Sequence, residues 1–266
     1  MNINEYLAPA GEKPLDRMVT DGGFCSIFRT IGCVGDSLSS GEFEATGPAG
    51  ETLYLDMFEY SWGQFLARMT GSRVYNFSRG GMTAMEYCRS FAEANDFWNP
   101  DKACQAYIVA LGVNDVINAR QPVGTIADVC DADWHRNNPD TFAGWYGQLL
   151  QRLREIRPDA KYFLMTMPRC NWLASPENCA IADAHAALLY DMAAHFSNTY
   201  VLDLRRYGPV YDDAFEDAFC MGGHMNPMGY RLTAELVCSY IDFIIRHNTP
   251  DFHQVPFIGT PYRKQM

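Results

Sequence analysis

Long hydrophobic runs, paired cysteines and a surplus of positive charge are all absent from this 266-residue sequence. No run approaches the roughly 18 apolar residues that a membrane-spanning helix needs. The first residues also lack the basic start and apolar core of a secretory signal. The net charge of −11 repels phosphate backbones and anionic lipids. The sequence therefore predicts a protein whose partners include neither nucleic acid nor membrane.

The pattern of cysteines indicates the redox state of the compartment in which the protein folds. All nine are scattered along the chain without a CxxC pair, and most lie in apolar stretches. Free cysteine in such surroundings behaves as a small hydrophobic residue. This usage fits a reducing cytoplasm better than a disulfide framework, so we predict a cytoplasmic protein.

The chain also has no repeat, low-complexity tract or Gly/Ser linker. A single domain over residues 1–266 is therefore the simpler prediction. Two segments, 1–25 and 248–266, lie outside the part of the chain that carries motifs and are predicted to be extensions. The sequence predicts no oligomeric state.

Short apolar runs alternate with longer periodic segments. The runs predict strands over 28–35, 72–78, 105–112, 161–167 and 199–204. Helices with apolar residues at helical spacing are predicted over 141–156, after a Ser175 cap and after an Asn226 cap. This alternation is typical of an α/β fold in which helices cover both faces of a parallel sheet. Ligands of such folds bind outside the carboxyl ends of the strands.

Hydroxyl, glycine and amide groups follow three of these strands. Ser37 follows the first in "GDSL", Gly80-Gly81 follow the second in "SRGGMT", and Asn114 follows the third in "ALGVND". A serine ester hydrolase needs a nucleophile and donors for the oxygen that becomes negative. Glycine lets a backbone N–H approach that oxygen closely, and an asparagine amide is a neutral donor. His224, in "GGHMNPMGY" before the last predicted helix, is the candidate base.

In order and spacing, these four blocks resemble the consensus blocks of the SGNH (GDSL) hydrolase family. The resemblance implies a flavodoxin-like, three-layer α/β/α sandwich and ester hydrolysis through an acyl-enzyme, with no cofactor and no metal. By the same resemblance, Ser37 matches the nucleophile and His224 matches the base. The oxyanion hole would consist of Ser37, Gly81 and Asn114, with Gly80 as the less favoured alternative to Gly81.

One position departs from the family pattern. The family usually has an acid three residues before the histidine, where this sequence has Met221. Asp217, which we favour, and Asp213 lie on the same approach loop, and Gly222-Gly223 could let that loop fold back. A backbone carbonyl on the imidazole is the other alternative and would leave a Ser-His dyad. Asp217 is accordingly the predicted third catalytic residue.

The predicted function is that of a serine esterase, with a carbohydrate O-acetyl group or a related short acyl ester as the favoured substrate. An acidic chain without a lipid-binding amphipathic helix fits an oligosaccharide better than a lipid. A lysophospholipase or thioesterase is the alternative enzyme. A degenerate, non-catalytic binding module of the same fold is the alternative outside enzymes, and Met221 is its support.

Several other polar and aromatic residues invite weaker interpretations. Trp134 and Trp172 are more often packing residues, although both could line a pocket and stack on a sugar ring. Asp115 is predicted to brace its loop and is left out of the catalytic set. Three polar residues close together in the sequence faintly resemble metal ligands: Asp131, Asp133 and His135. They lack a fourth partner, and we predict solvated surface there.

Overall fold

The structure, a computed structural model, describes residues 2–129 and 138–264. In chain order, its strands are β1 Thr30–Gly35, β2 Glu42–Thr46, β3 Thr52–Asp56, β4 Arg73–Ser78, β5 Ala106–Ala110, β6 Lys161–Met165, β7 Thr199–Leu202, β8 Cys220–Met221 and β9 His224–Met225. Five of them form one parallel sheet in the order β4-β1-β5-β6-β7. Each of these five lies within a segment predicted as a strand, so the α/β prediction is confirmed.

Helices flank this sheet. They are α1 Ile3–Leu7, α2 Ser37–Ser40, α3 Trp62–Thr70, α4 Ala84–Glu86, α5 Ala92–Ala94, α6 Phe142–Ile156, α7 Pro176–His195, α8 Leu204–Tyr207, α9 Asp213–Phe219, α10 Pro227–His247 and α11 Thr249–Phe252. Two π-helical segments, Tyr87–Phe91 and Val113–Asn118, interrupt the pattern. The three helices predicted from the sequence are α6, α7 and α10.

Side-chain caps explain where these three helices begin. Thr141 accepts a hydrogen bond from the Gly144 N–H before α6, at 3.1 Å. Ser175 accepts from the Asn178 N–H before α7, also at 3.1 Å. Asn226 caps α10 in the same way. Each cap satisfies a backbone donor that the first helical turn leaves unpaired.

The hydrophobic core lies between the sheet and two pairs of helices. Helices α3 and α10 pack against each other, and Phe142 of α6 contacts the buried ring of His185 on α7. Four of the five residues of β5, and four of β6, are buried. The apolar runs 106–110 and 162–165 follow from burial on both faces of the sheet. The three-layer α/β/α sandwich is confirmed.

Two short antiparallel hairpins lie outside this sheet. Strands β2 and β3 pair with Glu42 opposite Asp56, and β8 pairs with β9. Strand β2 also packs on β9, so the two hairpins meet. Neither was predicted, because β8 and β9 have only two residues each, and Phe43 is the sole buried residue of β2.

The chain beyond α10 packs onto the domain. Phe252 is buried and meets the rings of Phe28 and Tyr200, with centroids 6.3 Å and 5.3 Å away. Val255 is buried as well. These apolar contacts hold the segment against the edge of the sheet where β7 lies.

Candidate active site

Ser37 stands at the turn between β1 and α2. The Asp36 carboxylate caps α2 by accepting a hydrogen bond from the Leu38 N–H at 3.2 Å. Gly35 leaves no room for a side chain, since a Cβ there would lie 2.2 Å from Ser39 Oγ. This tight turn places Ser37 at the carboxyl end of β1, half-buried and facing a cavity.

Two further turns reach the same edge of the sheet. Gly81 follows β4 with φ at +70°, in the left-handed region that favours glycine. Asn114 lies on the π-helical turn after β5, where its Nδ2 lies 3.3 Å from the Met82 carbonyl oxygen and 3.5 Å from Asp36 Oδ2. These contacts hold the Asn114 side chain between the turn that follows β1 and the turn that follows β4.

The three turns and the β8–β9 hairpin enclose a cavity of about 580 Å³. Ser37, Gly81, Asn114 and His224 all line it, so residues that the sequence predicted separately are brought together. Trp172 also lines the cavity and is 54% exposed. Packing, the favoured interpretation of Trp172, is therefore wrong, and Trp172 takes the alternative place at the pocket.

Carboxylates contact both ring nitrogens of His224. Nδ1 lies 2.9 Å from Glu44 Oε1, an oxygen that also accepts the Gly223 N–H at 2.7 Å. Nε2 lies 3.1 Å from Glu42 Oε1. Because side chains alternate along a strand, Glu42 and Glu44 are on the same face of β2 and meet the imidazole together.

The prediction that Asp217 holds His224 is wrong. Residues 213–219 form helix α9 and not a loop that folds back, and Asp217 is exposed on this helix. The alternative Asp213 accepts a hydrogen bond from Asn171 Nδ2 at 2.6 Å. Glu44 approaches His224 from the other hairpin instead.

The glycines beside His224 make this approach possible. A Cβ on Gly222 would lie 2.3 Å from Glu44 Oε2, and one on Gly223 would lie 2.7 Å from Oε1. Met221, at the position of the missing acid, is 46% exposed. Gly222-Gly223 thus leave space for the Glu44 carboxylate. The missed signal was the pair of acids in "EFE", two residues apart and directly after the Ser37 turn.

Burial dominates the electrostatics beside Ser37. It raises the pKa of Asp36 to about 6, although the Leu38 N–H and His224 act in the opposite direction. Burial also raises the pKa of Glu42, again against the effect of His224. Both carboxyl groups are therefore poorly solvated, and their ionised forms depend on nearby donors.

Asp115 joins two of the three turns. Its carboxylate is fully buried and accepts the Ala84 N–H at 2.7 Å. Ala84 begins the helix after the Gly81 turn, and Asp115 directly follows Asn114, so the contact ties the two turns together. Burial raises the pKa of Asp115 to about 7. The predicted role as a brace is confirmed.

The sequence profile of the GDSL-like lipase/acylhydrolase family matches residues 33–232. Every residue that lines the cavity lies within this stretch. The chain belongs to the GDSL-like lipase/acylhydrolase family. The resemblance seen in the four sequence blocks is thereby confirmed, and the protein is a hydrolase of the esterase type.

Solved structures share the fold of this GDSL hydrolase at low identity. A family two carbohydrate esterase from Clostridium thermocellum, in complex with cellohexaose, has a TM-score of 0.54 and 16% identity over 91% of this chain and 67% of its own. A family 3 carbohydrate esterase from the same organism gives 0.53 and 14%, over 82% and 97%. A possible lipase from Chitinophaga pinensis DSM 2588 gives 0.51 and 16%, over 83% and 98%. Curated proteins yield no significant sequence match.

Other predictions concern ions, membranes and thiols. Within residues 2–129 and 138–264, no helix has the length and apolarity to cross a bilayer. The same residues contain no cluster of three metal-binding side chains, and their eight cysteines are free thiols. Four residues with weaker interpretations lie outside the described residues, and the predictions on them stand untested: Asp131, Asp133, Trp134 and His135.

Proposed function

We propose that this GDSL hydrolase cleaves short acyl esters through an acyl-enzyme on Ser37. One observation carries the proposal: Glu44 lies 2.9 Å from Nδ1 of His224 at the cavity that Ser37 also lines. A hydrogen bond from Nδ1–H to Glu44 selects the tautomer whose Nε2 has a lone pair. That lone pair is what a general base needs.

The cavity residues then have distinct roles in the proposed reaction. Ser37 Oγ attacks the acyl carbonyl carbon while Nε2 of His224 takes the hydroxyl proton, and Glu44 stabilises the imidazolium. The backbone N–H groups of Ser37 and Gly81 and the side-chain amide of Asn114 donate to the oxyanion. His224 then protonates the leaving alcohol, and water attacks the acyl-enzyme in the same way.

A carbohydrate O-acetyl ester is the proposed substrate. Two solved structures of the same fold are carbohydrate esterases, and Trp172 offers a half-exposed aromatic face on which a sugar ring can stack. Among the described residues that line the cavity, none is Lys or Arg. A phosphate group would therefore meet no cation there, which disfavours a lysophospholipase.

The non-catalytic alternative rested on Met221 at the usual position of the acid. Glu44 supplies a carboxylate to His224 from a different strand. The departure at Met221 therefore gives no support to a binding module without turnover.

Labelling with a fluorophosphonate tests the proposal. Wild-type protein should react at Ser37 and release p-nitrophenol from p-nitrophenyl acetate, and Ser37→Ala should do neither while its melting temperature stays unchanged. Ser39→Ala, on the same short helix, is the matched control and should still be labelled. A Ser37→Ala protein that keeps more than a trace of wild-type kcat would rule out Ser37 as the nucleophile.

A further inference from the structure

Glu42 and Ser37 require the same atom of His224. In the structure, Nδ1 contacts Glu44 and Nε2 lies 3.1 Å from Glu42 Oε1. Under the proposed function, on which this inference rests, Nε2 must take the proton of Ser37. The contact with Glu42 therefore has to break before the base can act.

The protons on the imidazole show why Glu42 and Ser37 cannot both use Nε2 of His224. Glu44 accepts the proton on Nδ1, so a carboxylate at 3.1 Å from Nε2 needs one more proton between the two atoms. That proton is either on the imidazole or on Glu42. In both forms the Nε2 lone pair is unavailable to Ser37.

The surrounding residues are shaped to hold Glu42 at this place. Its backbone carbonyl accepts a hydrogen bond from the Tyr230 hydroxyl at 2.7 Å. A Cβ on Gly80 would lie 2.1 Å from Glu42 Oε2, so only glycine at this position leaves space for the carboxylate. The Glu42 side chain is 15% exposed and lines the cavity, where a substrate group can reach it.

The charges around the cavity indicate which group can replace His224 as the hydrogen-bond partner of Glu42. Apart from His224, five ionisable side chains in the described part of the chain line the cavity. Three are carboxylates, Asp36, Glu42 and Glu216, and two are neutral groups, Cys220 and Tyr211. No cation among the described lining residues competes with His224 for Glu42. A hydroxyl on the substrate supplies the missing donor, because a carboxylate accepts hydrogen bonds only.

We propose that Glu42 is a positioning residue that selects esters with a hydroxyl group next to the ester bond. In the structure its carboxylate contacts Nε2 of His224. When substrate binds, the carboxylate accepts the neighbouring hydroxyl and leaves Nε2 to Ser37. Sugars and polyols carry such hydroxyls, and simple alkyl esters do not.

Two esters of equal size test this inference. 2-Hydroxyethyl acetate and n-propyl acetate differ only by a hydroxyl in place of a methyl group. After correction for their rates of alkaline hydrolysis, wild type should favour the hydroxyethyl ester by at least about tenfold in kcat/KM, the worth of one hydrogen bond to a charged group. In Glu42→Ala this preference should fall to about one, with a several-fold rise for n-propyl acetate.

The pH profile separates this role from a structural one. Because the Glu42 charge helps to retain the proton on the pair, the acidic limb of kcat/KM for n-propyl acetate should move to lower pH in Glu42→Ala. Glu42→Gln preserves the side-chain volume and should move the limb in the same direction, so it carries the test if the alanine variant fails to fold. Glu51→Ala, an exposed acid of the same hairpin, should leave the limb unchanged. Other titratable groups near the pair are Asp36, Glu44, Tyr54, Asp56 and Glu216.

The possible failures are distinct. If wild type hydrolyses both esters but the Glu42 variants retain its preference and its pH limb, this inference is wrong and the proposed function stands. If Glu42→Ala loses activity on both esters alike while folded, Glu42 serves the reaction itself and does not select the substrate. If wild type hydrolyses neither ester, the proposed function fails and this inference fails with it.

Discussion

The cavity has two walls that are built differently. One wall consists of turns that follow β1, β4 and β5, strands paired along the sheet with Gly35 between Ser78 and Ala110. The other consists of the β2–β3 and β8–β9 hairpins; in the β2–β3 hairpin the side chains of Tyr54 and Leu55 are exposed and only Phe43 is buried. The first wall carries the proposed nucleophile and oxyanion donors, and the second carries His224 and the two carboxylates that contact it.

The two walls differ in the rigidity that their proposed roles require. Oxyanion donors must stay fixed while charge develops, and attachment to buried parallel strands provides that rigidity. The carboxylates on β2 must follow a proton as it moves onto and off His224. A hairpin with few buried contacts has a lower local stability than the sheet, which suits side chains that exchange partners.

The largest effect should come from the hairpin wall. Glu44→Gln removes the charge opposite Nδ1 and no longer stabilises the imidazolium, so kcat on p-nitrophenyl acetate should fall by about 10²–10⁴. Asp217→Asn, on the exposed face of α9, is the control and should stay within a few-fold of wild type. Equal losses in the two variants would contradict the assignment of Glu44.

A smaller loss is expected from the sheet wall. Asn114→Ala removes one oxyanion donor and should lower kcat by about 10²–10³. KM should change much less, because the donor interacts more strongly with the transition state than with the bound ester. Steady-state kinetics on a short ester provide both values. A defect confined to KM would show that Asn114 binds substrate and does not stabilise the oxyanion.

The brace between two turns should affect stability more than chemistry. Burial raises the pKa of Asp115 to about 7, above the value of about 4 in an unfolded chain. The folded state thus binds this proton more tightly, and the contribution to stability is greatest below pH 4, decreases up to pH 7 and is then constant. Asp115→Asn keeps an acceptor for the Ala84 N–H without the charge.

This variant should therefore melt about 2–8 °C above wild type at pH 8 and close to wild type at pH 4. Differential scanning calorimetry at the two pH values measures the difference. A variant that melts lower than wild type at pH 8 would show that the ionised carboxylate is needed for the brace.

The two walls also differ in how far the sequence predicts them. Turns at the ends of apolar strands converge by topology alone, so the sequence is enough to predict that Ser37, Gly81 and Asn114 lie together. Glu44 could not, because its hairpin leaves the sheet and its alternating "EFE" pattern looks like an exposed strand. The two glycines before His224 stand out in the sequence, but their role as space for Glu44 depends on a contact between residues 180 positions apart.

The pairing of His224 with Glu44 is central to the proposed reaction, and proton NMR observes that pairing directly. A proton shared between Nδ1 and a carboxylate oxygen gives a resonance at low field, separate from the amide protons. We predict this resonance in wild type and in Asp217→Asn, and its loss in Glu44→Gln. If the resonance persists in Glu44→Gln and disappears in Asp217→Asn, Asp217 holds His224 in solution and the assignment of Glu44 is wrong.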